Sequence, residues 1–136
     1  MRLAEHLLFE RNLTMAKPTI QLKLINRTVA VLKPKQAFVD WVNSMPGGDP
    51  PMAMDEIFDD SLCFLIPEYD TNEQALEFIL KNVQPILEAE LIGWDQSGET
   101  WPDKLDRRLL QKFFDVEIHS EVIDMMKGPI ERENFF

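Results

Sequence analysis

The chain has almost no cysteine and no long apolar run. Its 136 residues include a single cysteine, Cys63, so an intrachain disulfide is excluded. The longest unbroken apolar stretch is residues 62–66, whereas a membrane-spanning helix needs about 20 such residues. We therefore expect no membrane-spanning segment, and we expect Cys63 to be a buried, reduced thiol because it lies within that stretch.

The amino-terminal residues lack the pattern of a secretory leader. Such a leader has a basic start followed by an apolar core of roughly 7 to 15 residues. Here Glu5, His6 and Glu10 interrupt the apolar positions. The sequence therefore predicts a cytoplasmic protein.

Common catalytic motifs are also missing. The chain contains no CxxC, HExxH or GxSxG sequence. Residues 47–51 read GGDPP, which places a carboxylate and prolines where a phosphate-binding loop needs amide donors and a lysine. These absences favour a protein without catalytic activity and without a resident cofactor.

Acidic residues outnumber basic residues, and both are unevenly distributed along the chain. The net charge is −10, from 24 carboxylates against 14 lysines and arginines. Residues 49–99 hold thirteen carboxylates and one lysine, whereas residues 1–48 hold seven basic and three acidic side chains. An acidic field of this kind repels phosphate backbones and anionic lipid headgroups. This excess of negative charge therefore argues against nucleic-acid and membrane partners.

The length fits one domain with short extensions. We assign residues 1–14 to an amino-terminal extension that is either helical or disordered, since Met15 is a second possible start of translation. Residues 15–130 are predicted to form a single α+β domain, and residues 131–136 a charged carboxy-terminal tail.

Alternating apolar positions predict the strands. Ile20, Leu22 and Leu24 alternate with polar residues, and an apolar segment follows at residues 28–32. Asn26 tolerates a positive φ, so these segments form either a tight hairpin or one long bent strand. Residues 62–66 are apolar throughout, which is typical of a strand covered on both faces and predicts the centre of the sheet.

Helical spacing predicts three further segments. Residues 35–43 and 102–113 each repeat apolar side chains at three and four positions. Between them, Thr71 and Gln74 match a capping box at the start of a long helix that ends near Gly93. Pro85 should kink or split this helix, and Glu90 should lie off its apolar stripe.

The last strand begins directly after the third helical segment. Phe114, Val116, Ile118 and Val122 alternate with charged residues. The order is therefore β(β)-α-β-α-α-β. Half-exposed strands and long polar connections predict an α+β fold with a small, mostly antiparallel sheet and helices packed on one face.

Metal binding is one functional alternative. Asp115, Glu117, His119 and Glu121 share one face of the last strand, and their oxygen and imidazole donors suit a divalent transition metal. With Glu117, His119 and Glu121 as ligands, the protein would be a metal-dependent, hydrolase-like enzyme. The same residues would equally form the solvated side of a strand.

Protein binding is the leading hypothesis. The candidate surface lies in the acidic region and combines a group of carboxylates with two tryptophans. Its residues are Asp55, Glu56, Asp59 and Asp60 near the proline-rich loop, and Trp94 and Trp101, which flank a polar loop. We expect a non-catalytic, acidic, cytoplasmic binding or adaptor protein that engages a protein partner, basic or not. Phe135 and Phe136 either fold back on the domain or enter a neighbouring subunit of a homo-oligomer.

Overall fold

A computed structural model describes residues 20–47 and 50–136. The predicted extension, residues 1–14, lies outside the described residues. The described part of the chain contains five strands and five helices, which confirms the α+β class with a small antiparallel sheet and packed helices.

The two longest connections between the described strands and helices are residues 44–53 and 93–106. The strands are β1 (Ile20–Leu24), β2 (Thr28–Pro34), β3 (Cys63–Ile66), β4 (Phe114–His119) and β5 (Ile123–Met126). The helices are α1 (Gln36–Asn43), α2 (Met54–Asp59), α3 (Asn72–Lys81), α4 (Val83–Ile92) and α5 (Arg107–Phe113). None of these helices has the length and apolar character needed to cross a bilayer.

The chain divides into two units. Within the described residues, the first unit comprises residues 20–25 and 123–134, and the second comprises residues 26–122 and 135–136. The first unit is a two-stranded antiparallel ribbon of β1 and β5, in which Leu24 lies opposite Ile123. Leu22, Leu24, Ile123 and Met126 are all exposed on this ribbon.

The second unit is built on a three-stranded antiparallel sheet with the order β3-β2-β4. Of the two alternatives for residues 20–32, a tight hairpin or one long bent strand, the hairpin is excluded, since β1 pairs with β5 and β2 pairs with β3 and β4. The apolar segment of residues 62–66 forms an edge strand and not the central one. Pairing between distant segments decides strand order, and local hydrophobicity does not encode it.

One face of this sheet is covered by the core. Thr28, Ala30 and Leu32 of β2 are buried, and all five helices, together with β3 and β4, contribute the remaining core side chains. The opposite face carries Cys63 and Leu65, both exposed. The prediction of a buried thiol is wrong because β3 is an edge strand with one face open.

Pro85 splits the predicted long helix in two. Its ring would clash with the carbonyl of Lys81, and it has no amide to donate. The helix therefore ends at Lys81, with the Asn82 side-chain amide donating to the Phe78 carbonyl at 2.8 Å. α4 begins at Val83, so Pro85 lies in its first turn, where amides lack helical acceptors.

The break also changes which side chains are buried. α4 buries Ile86, Leu87, Ala89, Glu90 and Leu91, which cover more than half of its circumference. The expectation that Glu90 lies off the apolar stripe is wrong. That expectation assumes one continuous helix, and the interruption at Asn82 ends the helical periodicity before α4 begins.

Candidate functional site

The loop between Trp94 and Trp101 is organised by one carboxylate. Asp95 accepts hydrogen bonds from the amides of Ser97, at 3.0 Å, and Thr100, at 2.9 Å, and from both hydroxyls. These donors stabilise the ionised carboxylate and hold the pKa of Asp95 well below its ordinary range, with the Ser97 hydroxyl contributing most. The loop is therefore closed by its own polar groups.

The tryptophans of this region contribute to the protein's own packing. The Trp101 indole donates to the Asp95 carbonyl at 2.9 Å, and the Trp41 indole donates to the Thr100 carbonyl at 3.0 Å. Gly98 adopts a φ of +77°, and the Trp101 ring lies 3.8 Å from where its Cβ would be. Trp94 and Trp101 both pack partly buried against the core.

The predicted acidic residues are held on a short helix. Asp55, Glu56 and Asp59 are exposed on α2, and Asp60 follows its end. The Glu56 side chain accepts from the Ala53 amide at 2.9 Å, so it also stabilises the helix start. Of these four residues, only Asp60 lines the same small cavity as Trp94.

The predicted metal ligands are only partly brought together. The Glu117 carboxylate and the His119 imidazole on β4 lie 3.3 Å apart, and the Lys33 ammonium lies 3.9 Å from Glu117. Glu121 follows the strand instead of continuing it. Across residues 20–47 and 50–136, no three His, Cys, Asp or Glu side chains form a group that could hold a metal ion. The metal site stays a prediction.

A larger site lies where the chain enters α3. An open groove of about 620 Å³ is bordered by the Glu68–Asp70 segment and by α3. Its lining residues are Glu68, Tyr69, Asp70, Gln74, Glu77, Phe78 and Lys81. Three carboxylates and one lysine give this lining a net negative charge.

The capping box fixes the shape of this groove. The Thr71 hydroxyl accepts from the Gln74 amide at 3.2 Å, and the Gln74 side-chain oxygen accepts from the Thr71 amide at 3.3 Å. The Gln74 oxygen also accepts from the Asp70 amide at 3.1 Å, which orients the segment that precedes the helix. The reciprocal hydrogen bonds confirm the capping box predicted from the sequence.

Aromatic and charged groups are combined in the groove. The rings of Tyr69 and Phe78 have centroids 6.0 Å apart, at an interplanar angle of 47°. The guanidinium of Arg107 lies 3.2 Å from the Glu77 carboxylate. Carboxylates beside aromatic faces bind ammonium and guanidinium groups, so this arrangement suits a cationic ligand.

Sequence reasoning did not single out this groove. Its carboxylates are spread over ten positions, from Glu68 to Glu77, and a capping box by itself predicts only a helix start. The available signal was the pattern of acidic and aromatic residues on both sides of Thr71. A helix start places such residues close together because the chain turns there.

A second, smaller cavity contains a buried carboxyl group. Glu90 is 4% exposed, and within the described parts of the chain its Oε1 has no hydrogen-bond partner. Burial raises the pKa of Glu90 to about 7, against the opposing effect of a hydrogen bond from the Leu62 amide. Buried polar atoms are rarely left without a partner.

Comparisons of this chain with known protein families, with curated proteins and with solved structures find no match. The function is therefore argued from the geometry and charge of these sites.

Proposed function

We propose that this chain is a non-catalytic, cytoplasmic binding protein that engages a basic segment of a partner protein at the groove beside α3. The observation that carries the proposal is a 620 Å³ groove lined by three carboxylates around an aromatic pair. A basic peptide segment has the complementary charge, and its long side chains can stack on the Tyr69 and Phe78 rings.

The Arg107 contact supports this choice of ligand. Its guanidinium already lies against Glu77 at the groove, so a carboxylate there accepts a cation in the geometry of the native chain. Arg107 and Glu77 are each about half exposed, and pairs of this kind contribute little stability. A basic residue from a partner can therefore replace Arg107 at small cost.

The wider charge distribution supports attraction at longer range. Asp55 and Asp59 are exposed, and residues 49–99 carry most of the excess negative charge. Charge complementarity chiefly raises the association rate and the selectivity of binding. In this proposal the acidic α2 attracts the basic segment, and the groove holds it.

Fluorescence anisotropy with a labelled arginine- and lysine-rich peptide tests the proposal. We expect saturable binding that weakens as salt is raised from low ionic strength to 0.15 M, where the screening length is about 8 Å. The double variant Glu68→Gln, Asp70→Asn should weaken binding by about tenfold. Lys81→Gln should strengthen it, because it removes the one basic side chain lining the groove.

A matched variant separates the groove from overall charge. Glu99→Gln combined with Asp103→Asn removes the same two charges from exposed positions that do not line the groove. We expect this variant to bind the peptide almost as the parent protein does. Equal losses in both double variants, or binding that salt does not affect, would show that the groove is not the binding site.

A further inference from the structure

One side of β4 forms an edge of the three-stranded sheet. Within the part of the chain that the structure describes, β4 pairs with β2 alone, in the order β3-β2-β4. An edge strand presents a row of backbone amides and carbonyls that can bond to another extended chain. β4 therefore offers a place where a further strand can join the sheet.

The register with β2 identifies which backbone groups of β4 face outwards. In an antiparallel pair, residues that bond to the partner strand alternate with residues that face away from it. The Lys35 amide donates to the Phe113 carbonyl at 2.7 Å, and this pair continues the register of β2 with β4. Counted in steps of two from Phe113, the odd-numbered residues of β4 bond to β2. The amides and carbonyls of Val116 and Ile118 consequently point to the free edge.

A cleft runs along this edge, between β4 and α3. It consists of two adjoining cavities of about 170 Å³ and about 210 Å³, which share Leu76 of α3 and Val116 of β4 in their linings. The first also contacts Leu80 and Asp115, and the second also contacts Ile118. These five residues define the edge cleft.

One wall of the edge cleft is apolar. Val116 and Ile118 lie opposite buried residues of β2, on the face of the sheet that covers the core. Leu76 and Leu80 of α3 complete this wall, and Leu76 is 37% exposed. Successive side chains of a strand point to opposite faces of a sheet. A strand added at this edge would therefore place every second side chain against the apolar wall.

The opposite face of β4 carries carboxylates. The side chains of Asp115 and Glu117 are 72% and 41% exposed. On the paired side of β4, Lys33 lies opposite Asp115 in the register, and its ammonium is 3.9 Å from the Glu117 carboxylate. Opposite charges on neighbouring strands stabilise a sheet. A strand with basic residues on this face would repeat the same pairing on the free side of β4.

The carboxylates also disfavour a second copy of this chain as the added strand. Two antiparallel β4 strands would bring Asp115 and Glu117 of both copies together on one face, and like charges on neighbouring strands are destabilising. Each copy also carries a net charge of −10. A basic segment of another protein meets neither obstacle.

We propose that the edge cleft binds an extended segment of a partner protein in which apolar and basic residues alternate, added to the sheet as an antiparallel strand beside β4. Its backbone pairs with the outward groups of β4, and its apolar side chains lie against Leu76 and Leu80. Its basic side chains face Asp115 and Glu117. The proposal does not depend on the groove beside α3, because the two sites share no lining residue.

Backbone amide exchange, measured by nuclear magnetic resonance on the full chain, tests the proposal. The probe is the peptide acetyl-Lys-Val-Lys-Val-Lys-Val-amide, in which basic and apolar residues alternate. In the free protein we expect the Val116 and Ile118 amides to exchange fast and the Asp115 and Glu117 amides to exchange slowly, because only the latter bond to β2. An excess of the peptide should slow exchange at Val116 and Ile118 by about tenfold or more, because these amides gain acceptors.

Two control peptides separate strand addition from attraction between charges. Acetyl-Lys-Lys-Lys-Val-Val-Val-amide has the same composition without the alternation, so it should bind about tenfold more weakly. An alternating peptide with N-methylated valines lacks the amides that would bond to β4, so it should leave the exchange at Val116 and Ile118 unchanged. Equal binding of all three peptides would contradict strand addition.

Variants of the protein locate the bound peptide. Leu76→Gln removes an apolar side chain from the edge cleft and should weaken binding by about tenfold. Leu65→Gln is the matched control, because Leu65 is exposed on β3 outside the cleft, and it should bind as the parent does. The double variant Glu68→Gln, Asp70→Asn alters the groove beside α3 and should also bind as the parent does. A loss of binding in that double variant, with none in Leu76→Gln, would place the peptide in the groove and overturn the proposal.

Exchange in the free protein identifies the alternative occupants of the edge. Slower exchange at Val116 and Ile118 as the protein concentration rises would show a second copy beside β4. Slow exchange at every concentration would show that the chain itself already covers the edge. Either result would overturn the proposal, as would fast exchange that an excess of the peptide does not change.

Discussion

At the scale of single residues, Glu90 makes stability depend on pH. Burial raises its pKa from 4.5 to about 7, so the native state holds the proton more tightly than the unfolded chain does. Protonation of Glu90 therefore stabilises the native state, and this stabilisation is fully present below pH 4.5 and is lost as pH rises through about 7. A shift of this size corresponds to about 3 kcal/mol. We therefore expect Glu90→Gln to be up to ~3 kcal/mol more stable than the parent above pH 7.

Urea unfolding between pH 4.5 and 8 measures this difference. The gap between Glu90→Gln and the parent should widen as pH rises and then level off. Glu88→Gln is the matched control for removal of one carboxylate from α4, and its profile should follow that of the parent. Parallel profiles for Glu90→Gln and the parent would contradict the burial of an unpaired carboxyl group.

Asp95 has the opposite effect on the pH dependence of stability. Four donors from Ser97 and Thr100 favour its ionised form, so the stabilisation is present above pH 3.8 and is lost on acidification. Asp95→Asn replaces one acceptor oxygen with an amide that cannot accept. We expect a lower urea midpoint and a red shift of tryptophan fluorescence, because Trp101 donates to the Asp95 carbonyl. An unchanged midpoint and spectrum would mean that the carboxylate does not order the loop.

At the scale of secondary-structure elements, the start of α3 is held by the capping box of Thr71 and Gln74. Thr71→Ala removes the side-chain acceptor for the Gln74 amide, and we expect a loss of about 1 kcal/mol in the free energy of unfolding. Thr71→Ser keeps that acceptor and should keep most of the stability. Since this turn shapes the groove, Thr71→Ala should also weaken binding of the basic peptide more than Thr71→Ser does.

Elements with a strong local signal were predicted well. The capping box and the end of the helical region at Gly93 each depend on neighbouring residues, and the structure confirms both. The alternation in the last strand is confirmed only in part, because β4 ends at His119, before Val122, and Glu117 is half-buried like Val116 and Ile118. The position of β3 and the burial of Glu90 were predicted wrongly. Both depend on which distant segment packs against the element, and neighbouring residues do not specify that.

At the scale of the whole molecule, the two units should differ in local stability. β2 is hydrogen-bonded on both sides, to β3 and β4, and its covered face is buried. The β1–β5 pair has only two strands and exposes several apolar side chains. Two-stranded ribbons are marginally stable in water.

Native-state hydrogen exchange measures this difference. We expect the β2 amides to exchange most slowly, close to the rate set by global unfolding, and the β1 and β5 amides to exchange faster. Val31→Ala is a probe of the sheet that leaves the sequence of β1 and β5 unchanged. It should accelerate exchange in β2 more than in the ribbon. Ribbon amides that exchange as slowly as those of β2 would contradict the expected difference in stability.

The sequence by itself determined the α+β class, the acidic character and most helix boundaries. These follow from hydrophobic period, capping residues, prolines and charge, all of which act between near neighbours. Only the tertiary structure decided that β2 is the central strand, that the groove forms beside Tyr69 and Phe78, and that Glu90 enters a cavity with Asp60, Trp94 and Phe135. The strand order and the Glu90 cavity join segments that are far apart in the chain, whereas the groove forms within residues 68–81, where the chain turns into α3. Their positions are set by packing and strand pairing, which depend on the whole fold at once.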